Sequence, residues 1–207
     1  MSDSYKYIDP DYTYTDPNTE LLRNLQNIAD PDVLLFVESG AVTKRLQELY
    51  EKPIKIKGID SLFEIHSHLF QDIYVWAGKK RIVEISKDGK QFFPTSYFDN
   101  AFRYIDQLIA EFKKIPNENK KSLAEKLAEI LDNINYLHPF REGNGRAQRE
   151  FLRLLALEKG LTLNLNPPDN KSVYERYMKG TIESDGKTLT ELIFELIVTE
   201  NEKKNGA

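Results

Sequence analysis

A chain of 207 residues, 40 % hydrophobic and 30 % charged, is long enough for one large folded domain with a real core. Its net charge of −4, with Lys and Arg interspersed among Asp and Glu, excludes the broad basic footprint of a protein whose main task is nucleic-acid binding. The absence of cysteine excludes disulfide staples, thiolate nucleophiles and cysteine zinc sites.

The N-terminus, MSDSYKYIDPDYTY, is polar and acidic, and no run approaches the roughly 18 apolar residues of a membrane span. A soluble protein without a classical export signal and without a membrane partner is expected. Two Asp-Pro pairs, Asp16-Pro17 and Asp30-Pro31, predict helix starts, with Asp as the cap and Pro in the first turn. They open a short helix to about Ile28 and a longer one to about Tyr50. Beyond Gly58, the apolar residues Leu62, Ile65, Leu69, Ile73 and Trp76 recur at helical steps, so a further helix is predicted to run to Gly78.

The β-formers Ile82, Val83 and Ile85, then Phe92 and Phe93, flank Lys87-Asp88-Gly89-Lys90 and predict a hairpin over 81–94, the only β element expected. Helical periodicity returns from Tyr97 to Ile115 and from Lys121 to Leu137. His138-Pro139 stops the second run, because a residue before proline is pushed out of the helical region. Another helix begins within Gly143-Asn144-Gly145-Arg146 and reaches Lys159, with Gly160 as its C-terminal cap. Two last helices, about 171–184 and 187–200, precede a flexible tail, 201–207. The sum is a mainly α, irregular helical single domain with one protruding hairpin.

The stretch HPFREGNGRAQR, residues 138–149, carries the chemistry. Its glycines and the helix start behind them turn backbone N–H groups toward one point, which suits an anion. Gly143 and Gly145 permit positive φ, Asn144 tolerates it and offers an amide donor, and Arg146 and Arg149 share a helix face on which they can clamp oxygens. Glu142 in so cationic a loop would be repelled by phosphate unless a cation lay between them, as magnesium does in phosphate chemistry. His138 is then placed as a general base for a hydroxyl attacking phosphorus. Residue types and spacing alone leave a plain turn with a solvated helix start standing beside this phosphate site. Phe140 is expected in the core. His66 and His68, two apart on a helix, face different ways and predict buried or boundary positions, not a metal pair. Lys79, Lys80, Lys87 and Lys90 read as a solvated charge cluster.

HPFREGNGRAQR resembles the signature of Fic-domain proteins, His-x-Phe-x-Asp/Glu-Gly-Asn-Gly-Arg-x-x-Arg, at every specified position. IHSHLFQDIYVWAGKKR is similar to the helix leading into that family's flap hairpin, and YTYTDPNTELLRNL to the N-terminal segment of its small bacterial toxins and host-directed effectors. The resemblance implies the Fic fold, with 1–57 as an N-terminal helical segment and 58–200 as the Fic core. It implies transfer of AMP from ATP to a Tyr, Thr or Ser hydroxyl of a target protein, releasing pyrophosphate. Carried over by position, His138 is the base and Glu142 holds Mg2+. Gly143, Asn144 and Gly145 form the anion cradle, Arg146 meets the β-phosphate region and Arg149 the γ-phosphate. Asn135, Lys87, Asp88, Arg176 and Tyr177 fall where similar proteins contact nucleotide or target, and the flap residues Lys87, Asp88, Gly89 and Lys90 would dock the target.

Within the same fold the alternative is a Doc-like kinase, whose sequences carry a bulkier residue in place of an intact Gly145. From another class, the alternative is a non-catalytic peptide-binding module, for which His138 beside Glu142 would serve no purpose. The family's inhibitory motif, Ser/Thr-x-x-x-Glu-Gly/Asn, has only one late counterpart, LIVTEN at 196–201, with Leu196 where Ser/Thr is needed. Inhibition by a small antitoxin in trans is therefore expected, or a freely active piece of a larger effector, acting in the bacterial cytoplasm or delivered to a host cell.

Overall fold

The structure, a computed structural model, describes residues 5–7, 9, 11–87 and 89–199. Asp88, Glu200 and the tail 201–207 lie outside the described residues. The fold is mainly α: α1 (Pro31–Glu51), α2 (Asp60–Phe70), α3 (Phe98–Lys114), α4 (Lys120–Leu137), α5 (Asn144–Leu157), α6 (Lys171–Glu183) and α7 (Gly186–Leu196). No helix among the described residues is long and apolar enough to cross a membrane. One hydrophobic cluster runs from Tyr14 to Ile197.

Asp30 caps α1 as its sequence requires, its Oδ1 accepting from the N–H groups of Asp32 at 2.9 Å and Val33 at 3.0 Å. The first Asp-Pro pair behaves differently, and the short helix expected from Asp16 is absent. Asp16 Oδ1 accepts from Asn18 N at 2.8 Å, which closes a local Asx turn, and Asp16 N donates to Leu21 O at 2.8 Å, folding the segment back on itself. The same type of cap serves a turn or a helix. The difference lies downstream, where Glu20 and Asn27 take positive φ and no helical run can form between them.

Helix α2 ends at Phe70, short of the predicted Gly78, yet Ile73 and Trp76 stay buried because tight turns replace the helix without changing the buried face. Gly78, at φ +75, brings the chain back so close to α2 that a Cβ would lie 2.6 Å from that of Ser67. Arg45 of α1 grips Asp72 through Nε at 2.7 Å and Nη2 at 2.8 Å and ties α1 to this turn.

The hairpin forms as predicted, with β2 (Ile85–Lys87) and β3 (Lys90–Gln91) in antiparallel register, Ser86 opposite Gln91. It is not the only β structure. A strand near the N-terminus, β1 (Tyr5–Tyr7), adds to the other edge of β2, giving the order β1-β2-β3. A second small pair, β4 (Leu161–Thr162) with β5 (Val198–Thr199), closes the far end. That pair is why α7 stops at Leu196 instead of reaching residue 200: Ile197 is extended and buried, and the β-branched run Ile197-Val198-Thr199 pairs with β4. Three residues of LIVTEN, Ile197, Val198 and Thr199, are therefore extended, while its Glu200 and Asn201 lie outside the described residues. In α4 every predicted core residue, Leu123, Leu127, Ile130, Ile134 and Leu137, is buried, and α4 packs between α3 and α7. Helix α5 ends at Leu157, two residues early, before a turn at Gly160 with φ +67.

Candidate active site

Helix α4 ends because His138 precedes proline, but His138 takes a left-handed backbone, φ 43 and ψ 62, and not the usual extended one. That turn throws its ring into a cavity of about 810 Å³, a volume in the range of small-molecule and cofactor sites. The His138 ring stacks on Phe92, centroids 3.8 Å apart, and Nδ1 donates to the Asn135 carbonyl at 3.1 Å. With the hydrogen on Nδ1, the lone pair lies on Nε2. Burial takes the imidazole down to about 3 from its ordinary 6.5, so the ring is neutral at physiological pH.

The loop that follows is held by two polar residues. Asn144 accepts from Phe140 N at 2.9 Å and donates to Phe140 O at 2.8 Å, so its amide staples the loop and is not aimed at a ligand. His66 is fully buried, as expected of a core histidine. Its Nδ1 accepts from Gly78 N at 2.9 Å, which puts the hydrogen on Nε2, and Nε2 donates to the Glu142 carbonyl at 2.9 Å. Burial lowers its pKa to about 4, and its ring stacks on Phe140, itself buried in the core. Gly143 has φ +81, and a Cβ there would sit 2.4 Å from Phe70 Cζ, so both backbone and space require glycine. Gly145 is helical, contrary to the positive φ expected of it. Its lack of a side chain matters because a Cβ would come 3.2 Å from Arg149 Nη1.

Around the cavity stand His138, Glu142, Gly143, Gly145, Arg146 and Arg149, joined by Lys87, Lys90, Asn135 and Tyr177. The first-turn N–H groups of α5 have no carbonyl four residues back and point toward this end. Glu142 Oε1 accepts from Gly143 N at 2.8 Å and lies 3.5 Å from Arg146 Nη2. Arg149 spreads over the rings of Tyr174 and Tyr177, 5.4 and 5.3 Å from their centroids, with no carboxylate partner among the described residues. Asn135 Nδ2 donates to Thr181 O at 3.0 Å, and Lys90 Nζ to Ile182 O at 3.2 Å. Arg176 stands apart: its guanidinium pairs with Glu195 at 2.6 and 3.0 Å and does not line the cavity. Gly89 sits at the hairpin tip with φ +79, outside the cavity lining.

Sequence reasoning missed four residues here. Glu38 and Tyr74 line the cavity beneath Arg146, and Gln148, 2 % exposed, donates to the Tyr177 hydroxyl. Arg81 is buried and ties three carbonyls together: Nε donates to His138 O at 2.8 Å, Nη1 to Val83 O at 2.7 Å and Nη2 to Phe93 O at 2.6 Å. A signal for Glu38 did exist. It interrupts the buried series Leu34, Glu38, Val42, where a carboxylate is out of place unless it has a partner.

The chain belongs to the Fic/DOC family, whose model matches residues 56–156. It is 33 % identical over 181 residues to a Sinorhizobium fredii protein named "Probable protein adenylyltransferase y4lH", covering 87 % of this chain and 91 % of that one. It is 37 % identical over 156 residues to the protein adenylyltransferase VbhT of Bartonella schoenbuchensis, covering 75 % of this chain but only 33 % of VbhT. The chain thus spans about a third of that relative's length. Among solved structures, the BepC effector protein of Bartonella tribocorum with bound AMPPNP superposes with a TM-score of 0.77 at 19 % identity, covering 91 % of this chain and 98 % of that one, and shows the shared fold.

Proposed function

We propose that the protein is an adenylyltransferase that moves AMP from ATP to a Tyr, Thr or Ser hydroxyl of a target protein. The observation that carries the reading is the meeting, around one cavity, of a neutral imidazole with a helix N-terminus bearing Arg146 and Arg149. His138 Nε2 takes the proton of the target hydroxyl as its oxygen bonds to the α-phosphorus. The bond from that phosphorus to the α,β-bridging oxygen breaks, and pyrophosphate leaves with the electron pair. The first turn of α5 and Arg146 receive the charge at the β-phosphate, and Arg149, set over the rings of Tyr174 and Tyr177, meets the γ-phosphate. The names of y4lH and VbhT, and the nucleotide analogue bound to BepC, point the same way.

Magnesium fits this site as an ion brought in with the nucleotide. Among the described residues there is no group of three or more carboxylates and histidines that could cage a metal. One partly exposed carboxylate, Glu142, lines the cavity beside Arg146, and magnesium needs only one or two carboxylates when phosphate oxygens and waters complete its shell. Glu142 would hold it, and the ion would offset phosphate charge in the transition state. The target is proposed to dock on the outer edge of β3 near Lys87 and Lys90, since β2's other edge is already taken by β1.

ATP labelled separately at the α- and γ-phosphates tests the activity. Incubated with the protein, magnesium and a bacterial lysate, the α-label is expected to enter protein and the γ-label not. Transfer from the γ position alone would make the protein a kinase. Transfer of neither would leave a binding module. A kinase is disfavoured by the intact Gly145, since Doc-like sequences carry a bulkier residue there that alters the anion cradle. For regulation, the lack of a carboxylate partner for Arg149 among the described residues supports a separate small antitoxin that supplies a glutamate to it. Expressed alone, the chain is expected to slow bacterial growth, with relief on co-expression of such an antitoxin; unimpeded growth without any partner would refute the need for one.

A further inference from the structure

Arg146 is held from behind by residues that lie on α1 and on the turn after α2. Its Nη1 donates to Glu38 Oε1 at 2.5 Å, and the other carboxylate oxygen, Oε2, accepts from the Tyr74 hydroxyl. Glu38 is 7 % exposed, so this is a buried carboxylate with both oxygens engaged. Tyr74 is fixed in turn by stacking on Trp76, centroids 4.3 Å apart, and burial, reinforced by the charge of Glu38, pushes its phenol pKa up, which keeps it a donor. The face of the Arg146 guanidinium rests on the Phe70 ring, 4.7 Å from its centroid.

We infer that Glu38, backed by Tyr74, is a positioning residue that aims Arg146 at the β-phosphate; this rests on the nucleotide reading proposed above. An arginine at the start of a helix has four rotatable bonds, and ordering them on binding weakens affinity. Here one edge is bonded to Glu38 and one face is covered by Phe70. The edge that remains, Nη2, is the one beside Glu142, 3.5 Å from its Oε1, where phosphate and magnesium would meet. Glu38 approaches from the α1 side through Nη1, so it does not occupy the position a phosphate oxygen would take. It orients the cation without competing for it.

Calorimetric titration of ADP and AMP separates this role from general support of the fold. The wild type is expected to bind both. In Glu38→Ala the ADP affinity should fall about tenfold, the loss of one charge-assisted restraint, while AMP affinity stays within about twofold because AMP has no β-phosphate. Tyr74→Phe, which conserves volume and keeps the charge of Glu38, should shift ADP in the same direction by about threefold. Glu38→Ala added to Arg146→Ala should change nothing further. Equal losses for ADP and AMP would reduce Glu38 to a structural residue, and a gain in ADP affinity would make it a brake on Arg146; either overturns the inference and leaves the transferase reading intact. A wild type that binds neither nucleotide overturns the nucleotide reading and this inference with it. Should Glu38→Ala not fold, Tyr74→Phe alone decides, by the same comparison of ADP with AMP.

Discussion

Replacing His138 with alanine is expected to lower the initial rate of α-label transfer by about 10²–10⁴-fold, the usual contribution of a positioned general base. Nucleotide affinity should be nearly unchanged, since the imidazole is not among the groups assigned to phosphate. Because His138 sits at φ 43, a left-handed conformation that histidine adopts more readily than alanine, the alanine variant also carries a backbone cost. His138→Asn, which tolerates that region, serves as the control and should lose the same activity with less effect on folding. Burial keeps the imidazole neutral down to about pH 3, so the wild-type rate should show no acid limb near 6.5, where an ordinary histidine would be half protonated. Full transfer by either variant would remove His138 from the role of base, whereas a limb at 6.5 would show that burial does not lower the imidazole's pKa.

The second large effect is expected at Gly143. An alanine there must adopt φ +81 and place its Cβ 2.4 Å from Phe70 Cζ. The left-handed backbone costs about 1–2 kcal/mol and overpacking about 1–3 kcal/mol more. In a chain of this size that corresponds to a fall in Tm of roughly 5–15 °C. Gly89→Ala is the matched comparison, because φ is +79 but nothing lies within 4 Å of its Cβ, so only the backbone contribution applies. Thermal unfolding of the two variants side by side separates the contributions. Equal shifts would mean that Phe70 yields without cost and that the packing beneath the loop is loose.

Much of this architecture is legible in residue order because its signals are local. Asp30-Pro31 carries its own cap, the Leu123 to Leu137 series its own period, and His138-Pro139 its own stop. Where reading failed, the deciding contact was remote. Nothing near Asp16 distinguishes a cap for a turn from a cap for a helix, and the strand after Leu196 exists because β4, more than thirty residues earlier, is there to pair with it. The site divides the same way. The His138 to Arg149 stretch is one segment and could be read as one cavity wall, but Asn144 turned out to bond its own loop and Arg176 to bond Glu195. Glu38, Tyr74 and Arg81 come from other elements, and only the folded chain brings them to Arg146 and His138.

Three of the bonds of Arg81 bear on how a substrate protein would be selected. One guanidinium holds the carbonyls of Val83 and Phe93, at the two feet of the hairpin, and that of His138, while Phe92, the residue after β3, lies flat against the imidazole. The hairpin edge and the base therefore form a single rigid gauge. A polypeptide zipped onto β3 would bring only one of its positions level with Nε2, set by counting residues along the strand at about 3.3 Å each. Discrimination would then depend less on which hydroxyl is offered than on how far along the bound segment it stands.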